Sequence, residues 1–518
     1  MGDIPGSDDL KIKSIVVVGG GTAGWSVARF FSEAFENNIQ IRMIESPDIS
    51  PVPIGESTAG PYRDFVLNHL RFDEKDFVTK CHITFKVCTR YVDWQYAKGE
   101  RFHGGFQAAP LVGDYFLYHY WLYDYLAGKT TVPFEEAALN ISTVCDHFKS
   151  PVDFAGDAIP FAYHFDTARL HAYFRQTCLK QNNVQLIAQT VTSVIKDDQD
   201  CISAVVLDNG ERIEGDFFVD CTGFKAALMS MAYDNPLQSW DHFRPCGSAV
   251  ALQRPRTEHK VIHPYTESRA VRSGWVWNIP LWETESFGYV YSADHESPET
   301  AEAYLRQHLD YQDGDAHHLR WKSGRRTPWV KNCLAVGLSH WFFEPIEAMT
   351  ITNASFMLKR FLYSFPTKQI DQDLIDRFNL VENHTNEEIR NFMLVHYHLS
   401  QRKDTPFWKS LSSLPVPDAL ARILDRNREV AQCPTTLEPA YAFNDGAWHQ
   451  LLSGKGYYPK HTMPNIAYIQ SKWSRYASEA FDRIRTKNEK IKHYQWPTHQ
   501  NYLDLIYRYA SDDGGSAE

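Results

Sequence analysis

Ser14-Ile15-Val16-Val17-Val18-Gly19-Gly20-Gly21-Thr22-Ala23-Gly24 is the stretch that decides the fold. Ile15 to Val18 is short, wholly apolar and β-branched, which is the pattern of a parallel strand buried on both faces. The glycines fit GxGxxG at Gly19, Gly21 and Gly24. In that motif Gly19 permits the tight turn, Gly21 lets a pyrophosphate approach the backbone, and Gly24 lets helix and strand pack closely. A helical pattern follows, with Val27, Phe30, Phe31 and Phe35 on one face. A second strand, Ile39 to Ile44, closes at Glu45, about 20 residues beyond Gly24, where an acid accepts hydrogen bonds from ribose hydroxyls. Strand, glycines, helix, strand and acid in this order predict a dinucleotide site. The helix that opens at Thr22 and Ala23 would meet the phosphates with its free N–H groups and its positive dipole end.

The chain of 518 residues is long enough for two or three interlocked lobes, and its 43% apolar fraction is that of a globular protein. Lys and Arg number 53 against 64 Asp and Glu, a net charge of −11, so a phosphate backbone is not attracted and nucleic acid is not an expected partner. No apolar run approaches the ~18 residues of a membrane span. The start, MGDIPGSDDL, lacks the basic and then apolar pattern of a signal peptide, and Gly6 breaks the myristoylation pattern. The nine cysteines form no CxxC pair, which points to the cytoplasm and away from a disulfide framework or a metal site. The composition leaves room for a homo-oligomer. Aromatics make up 14% of the chain, enough to line a site for flat ligands as well as to fill a core.

No second fingerprint appears, because Gly454-Lys455-Gly456 follows no strand and lacks a third glycine; one dinucleotide is expected. A strand from Asp216 to Asp220 runs into Cys221-Thr222-Gly223-Phe224, which resembles the second flavin-contact motif of FAD oxidoreductases. Cys333 to Leu338 reads as another buried strand, turning at Gly337. The dinucleotide is therefore read as FAD. Without a nicotinamide site, a separate protein must reduce it.

Four further stretches resemble the flavin-dependent halogenases, the tryptophan halogenases and their relatives; with the fingerprint and weaker echoes as far as Gly454-Lys455-Gly456 the resemblance spans residues 15 to about 460. Gly274-Trp275-Val276-Trp277-Asn278-Ile279-Pro280 fits the family's WxWxIP signature. The resemblance places Trp275, Trp277, Ile279 and Pro280 near the flavin, shielding it from the organic substrate. On residue pattern alone, two alternate Trp on a strand fill a core. Ile83-Thr84-Phe85-Lys86-Val87, on an alternating strand running to Trp94, carries the family's catalytic lysine at Lys86. An ammonium there hydrogen-bonds hypohalous acid, or a buried amine of lowered pKa forms a haloamine. Glu344-Pro345-Ile346-Glu347-Ala348-Met349-Thr350 places the family's catalytic glutamate at Glu347, with Glu344 read as structural. His396-Tyr397 with Arg402 to Trp408 matches a fourth family stretch, read as packing with no catalytic role. Gly55-Glu56-Ser57-Thr58 is a weaker match, and puts Ser57 and Thr58 near the flavin.

The resemblance implies an α/β fold. A Rossmann-type FAD module (GR2-like) spans 11–360, interrupted by substrate-lobe segments at about 60–160 and 230–325. A mainly helical lobe covers 361–511, and 1–10 and 512–518 are disordered ends. It implies FADH2, halide and oxygen as reactants, a separate flavin reductase as partner and a small aromatic substrate. Family backbone amides after the glutamate bind halide, here at Met349 and Thr350. The family's Ser-Thr-Gly is replaced by Ala348-Met349-Thr350, which predicts an altered turn and a preference for bromide or iodide. Arg101 to Phe106 resembles the stretch that stacks on the substrate ring, making His103 and Phe106 candidate walls. The residues that grip an amino-acid substrate find no match. Two other readings stay open: a flavin-dependent aromatic hydroxylase and a non-catalytic flavin-binding redox protein.

Overall fold

A computed structural model describes residues 10–49, 54–257, 261–432, 434–493 and 495–513. The expected disordered ends lie outside this range, except that Leu10 is described and Asp512 and Asp513 close the last helix, His499–Asp513. No helix among the described residues is long and apolar enough to cross a membrane.

The chain opens with β1 (Ser14–Val18), α1 (Thr22–Phe35) and β2 (Gln40–Ile44). They sit in a six-stranded sheet of order Val184–Ile187, β2, β1, Phe217–Asp220, Cys333–Ala335, Trp329–Val330. The first five strands are parallel and the last is antiparallel. Both faces of β1 are covered, which is why its sequence does not alternate. Ile15 and Val17 join the core that holds Phe30 and Phe31 of α1, while Val16 and Val18 pack with Phe218 and Ala335. Each such buried side chain contributes roughly 1.5–3 kcal/mol, so α1 is fixed by its apolar face. Val18 pairs with both Ile44 and Asp220, and Asp220 with Ala335. The turns at Gly19, Glu45, Cys221 and Val336 therefore open at one edge, the carboxyl ends of the strands where ligands of such sheets bind.

The strand expected to run from Ile83 to Trp94 is two strands. β3 (Gly55–Ser57) and β4 (Thr84–Lys86) flank Ala162–Asp166 in a three-stranded sheet. At Val87 the chain leaves that sheet, donating its N–H to Pro264, and continues as β5 (Cys88–Val92). β5 and β6 (Arg101–Gly105) edge a seven-stranded sheet with Tyr265–Val271, Gly274–Pro280, Thr284–Tyr291, Ser248–Pro255 and His317–Arg320. Past Phe342 every named element is a helix, including α2 (Met349–Tyr363), α3 (Gln372–His398) and α4 (Asp445–Gly454).

The glycines of the first turn differ in what they tolerate. Gly19 has φ +111°, and a Cβ there would lie 2.3 Å from the Cys221 carbonyl oxygen. A Cβ on Gly24 would lie 1.8 Å from the Gly19 oxygen, whereas one on Gly21 would meet nothing within 4 Å. Gly24→Ala should therefore lower stability by about 2 kcal/mol or more. Gly21→Ala should leave it within about 0.5 kcal/mol. Calorimetric unfolding of the two variants checks this.

Candidate functional site

Two cavities lie on either side of the start of α2. The first, about 160 Å³, is lined by Lys86 and Glu347 together with Phe106, Met349, Phe356 and Phe443 among others. The second, about 230 Å³, is lined by Gly21, Thr22, Ala23, Glu56, Gly337 and Thr350 among others.

Lys86 ends β4 and is buried. It pairs with Ala162, and Ser57 pairs with His164 two residues along the same strand, so both side chains leave one face. Lys86 Nζ donates to Ser57 Oγ at 3.3 Å and lies 5.6 Å from the centre of the Phe106 ring. Burial pushes the amine down to about 8, against the opposing charges of Glu347 and Cys88. Glu347 Oε1 accepts from Tyr91 Oη at 2.7 Å and pairs with His396 Nε2 at 2.5 Å. Burial pulls the imidazole of His396 below its ordinary range, although Glu347 works the other way. Glu344 is buried and accepts from Tyr397 Oη at 3.0 Å, and burial pushes its carboxyl up to about 8. The neighbours His396 and Tyr397 thus hold one glutamate each. Sequence reading assigned this pair to packing alone. Their position next to the Glu344-Pro-Ile-Glu347 stretch arises from a contact between α3 and a loop some fifty residues away, which no local pattern announces.

Met349 lines the first cavity and Thr350 the second, so the stretch expected to bind halide lies between them. The altered turn is at Ala348, which caps α2 with φ +54°, and not at Thr350, which is helical. Phe106 is a wall of the first cavity. His103 is not among its lining residues: the buried ring faces Glu135 (Nδ1 to Oε1, 3.2 Å) and accepts from Arg90 Nε at Nε2, 3.1 Å away. Trp275 and Trp277 line neither cavity and pack with Trp94, Tyr91 and Phe392 in the core behind the first. Ile279 belongs to the same core, and the carbonyl of Pro280 accepts from Thr84 Oγ1.

The second cavity has the features of a flavin dinucleotide site. Gly21 offers open space and no side chain caps α1, so its first N–H groups are available to an anion. Gly337, with φ +70°, approaches Ala23 from the opposite wall. Glu45 follows β2 at the same sheet edge but is not among the residues lining this cavity; it accepts from Trp25 Nε1, His171 Nε2 and Arg175 Nε at 3.0, 3.2 and 2.9 Å. Burial raises its pKa, but these donors outweigh it and hold the carboxyl below its ordinary range. Ser57 and Thr58 do not line this cavity. Ser57 faces Lys86, and the Thr58 hydroxyl exchanges hydrogen bonds with the backbone of Tyr163. Glu56, between β3's ends, does line it, and burial pushes its carboxyl up to about 7.

A family profile described as tryptophan halogenase matches residues 14–471. The chain belongs to this family. As a flavin-dependent halogenase it uses FADH2 delivered by a separate reductase, together with halide and oxygen, to halogenate a small aromatic substrate. Its relatives include the tryptophan 6-halogenase ThaL of Streptomyces albogriseolus, 30% identical over 89% of this chain and 92% of that one. The solved structure of SttH, a tryptophan 6-halogenase from Streptomyces toxytricini, superposes with a TM-score of 0.88 at 30% identity, covering 95% of this chain and 99% of that one. BrvH, a flavin-dependent halogenase from Brevundimonas sp. BAL3, superposes at 0.85 with 28% identity, covering 96% and 99%.

If His396 and Tyr91 orient Glu347, their loss should slow halogenation without loosening the cofactor. Hydrogen bonds to a charged group are worth about 1.5–3 kcal/mol, or roughly 10- to 100-fold in rate. Tyr91→Phe and His396→Phe should each lower kcat by that range, with FAD affinity unchanged in an equilibrium titration.

Proposed function

We propose that the halogenase acts on an electron-rich ring of indole or phenol type through hypohalous acid, directed by Lys86 and Glu347. The observation that carries this reading is that a buried amine and a carboxylate held by two donors line one small, partly aromatic cavity next to a separate dinucleotide cavity. Oxygen would take electrons from reduced FAD in the second cavity and from halide, which would thereby be oxidised to hypohalous acid. Gly21, Thr22 and Ala23 would hold its pyrophosphate, Glu45 its ribose, and Gly337 the opposite wall.

The backbone amides of Met349 and Thr350 would hold the halide. Methionine in this position is soft and polarisable, which favours bromide or iodide over chloride. The Lys86 ammonium donates to the oxygen of hypohalous acid and makes the halogen more electrophilic. The ring carbon bonds the halogen, the oxygen leaves as water with a proton, and Glu347 accepts the proton lost by the ring. Aromatic walls orient the ring and exclude the water that would let the oxidant act indiscriminately.

With reductase, NADH, FAD and halide, Lys86→Ala should lose about 100-fold or more of the halogenated product while FAD still binds. Glu347→Gln should slow ring halogenation by a similar factor. Regioselective product at an unchanged rate from either variant would refute its role. The ammonium is the working form and its pKa lies at about 8, so product formed per flavin oxidised should fall as pH rises through that value. In mixed halide, mass spectrometry should show brominated or iodinated product ahead of chlorinated, and a clear chloride preference would overturn the halide assignment. Oxygenated product without halide would instead mark a hydroxylase.

A further inference from the structure

The substrate cavity carries two charges and no more. Among the described residues that line it, Lys86 and Glu347 are the only ionic side chains. The neutral polar groups around them are largely engaged within the protein. Gln107 exchanges hydrogen bonds with Asn140, donating from Nε2 at 3.0 Å and accepting at Oε1 at 2.9 Å. Gln450 accepts from the Gly105 N–H at 3.1 Å and donates to the Gln107 carbonyl at 2.8 Å. Asn444 Oδ1 caps α4 by accepting from the Ala447 N–H at 3.0 Å. Apart from Thr89, the remaining walls are apolar or aromatic, with Phe392 and Phe443 stacked 3.9 Å apart at 9°. At about 160 Å³ the space is close to the ~150 Å³ apolar cavity that holds benzene.

A free amino acid carries an ammonium and a carboxylate within a few bonds of its ring. Set against these walls, both charges would be buried without partners, which costs several kcal/mol. Set against Glu347 and Lys86, they would engage the two groups that direct the chemistry and turn the ring away from them. We infer that the substrate is an uncharged arene of one or two rings, an indole or phenol with no ionised group inside the cavity, and not a free amino acid. The inference rests on the proposed function above, and it departs from the tryptophan named for several relatives.

The test compares indole with L-tryptophan on the reconstituted enzyme. The expected result is a kcat/KM for indole at least about 100-fold higher. Equal or better use of L-tryptophan overturns the inference and leaves the halogenation chemistry standing. If neither of these nor phenol is halogenated while flavin is oxidised, the halogenation reading fails, and isothermal calorimetry then decides the substrate class. Indole must bind at least about 100-fold more tightly than L-tryptophan, and equal or tighter binding of the amino acid overturns the inference. A second variant adds the charge that the wall lacks. Asn444→Asp keeps the helix cap, since Asp accepts the same bond. It should shift the ratio of tryptamine to indole affinity about tenfold toward the cation, and an unchanged ratio overturns the inference.

Discussion

One alanine in the left-handed conformation separates Glu347 from the helix that follows it. With φ +54° and ψ +37°, Ala348 turns the chain so that Glu347 stays among Tyr91 and His396 while α2 starts in a new direction. A non-glycine residue bears about 1–2 kcal/mol of strain in this conformation. The turn is held by the Ala348 N–H on the Pro345 carbonyl, by the burial of Ile346 and Met349, and by the two donors on Glu347. Strain at a site persists only when the surroundings over-determine it, and here they do.

Around this turn the buried charges are organised through α3. Its last turn presents His396 to Glu347 and Tyr397 to Glu344. The His396 carbonyl in turn accepts from Lys455 Nζ at 3.0 Å, so the residue is fixed from its backbone and its ring. Lys455 is buried over the faces of Trp94 and Phe102, and burial brings its amine down to about 7. A cation at the carboxyl end of a helix is favourably placed against its dipole. The two glutamates differ accordingly. Glu347 meets two donors at the cavity, while Glu344 meets one donor and is buried away from it, where a neutral carboxyl is the cheaper form.

The parts of this arrangement legible in the sequence are those encoded locally. The glycine turn, β1, α1 and β2 follow from residue types at fixed spacing, because Gly19 and Gly24 answer contacts made with the neighbouring strand's end and within the same unit, while Gly21 leaves open space. Lys86 and Glu347 stand out by the resemblance of their flanking stretches, and the fold sets both on one cavity. What the sequence could not show was decided by register and by long-range packing. The alternation from Ile83 to Trp94 hid a change of sheet at Val87, since two consecutive strands of like pattern read as one. His103 lies directly opposite Arg90 across β5 and β6, and that register puts its ring on the face turned away from the cavity. Ser57 is expected near the flavin, yet its place on β3, opposite His164, sets it beside Lys86.

The two cavities are separated by one helix used on two faces. Met349 and Phe356 of α2 face the substrate cavity, and Thr350, Ile351, Ala354, Ser355 and Leu358 face the cofactor cavity. The segment after β3 doubles this wall, with Ala59 and Pro61 on one side and Glu56 and Tyr62 on the other. The Ala59 N–H donates to Thr352 Oγ1 at 3.0 Å and ties the two layers together. A ring bound beside Lys86 is thus held apart from the dinucleotide by backbone and packed side chains. Trp275 and Trp277 stand one layer back, where their bulk stiffens the core against which Met349 and Phe392 pack. On the proposed reading, a wall of this kind would keep the organic substrate from the cofactor, so that only a small oxidant would pass from the cavity at Gly21 to the one lined by Lys86 and Glu347.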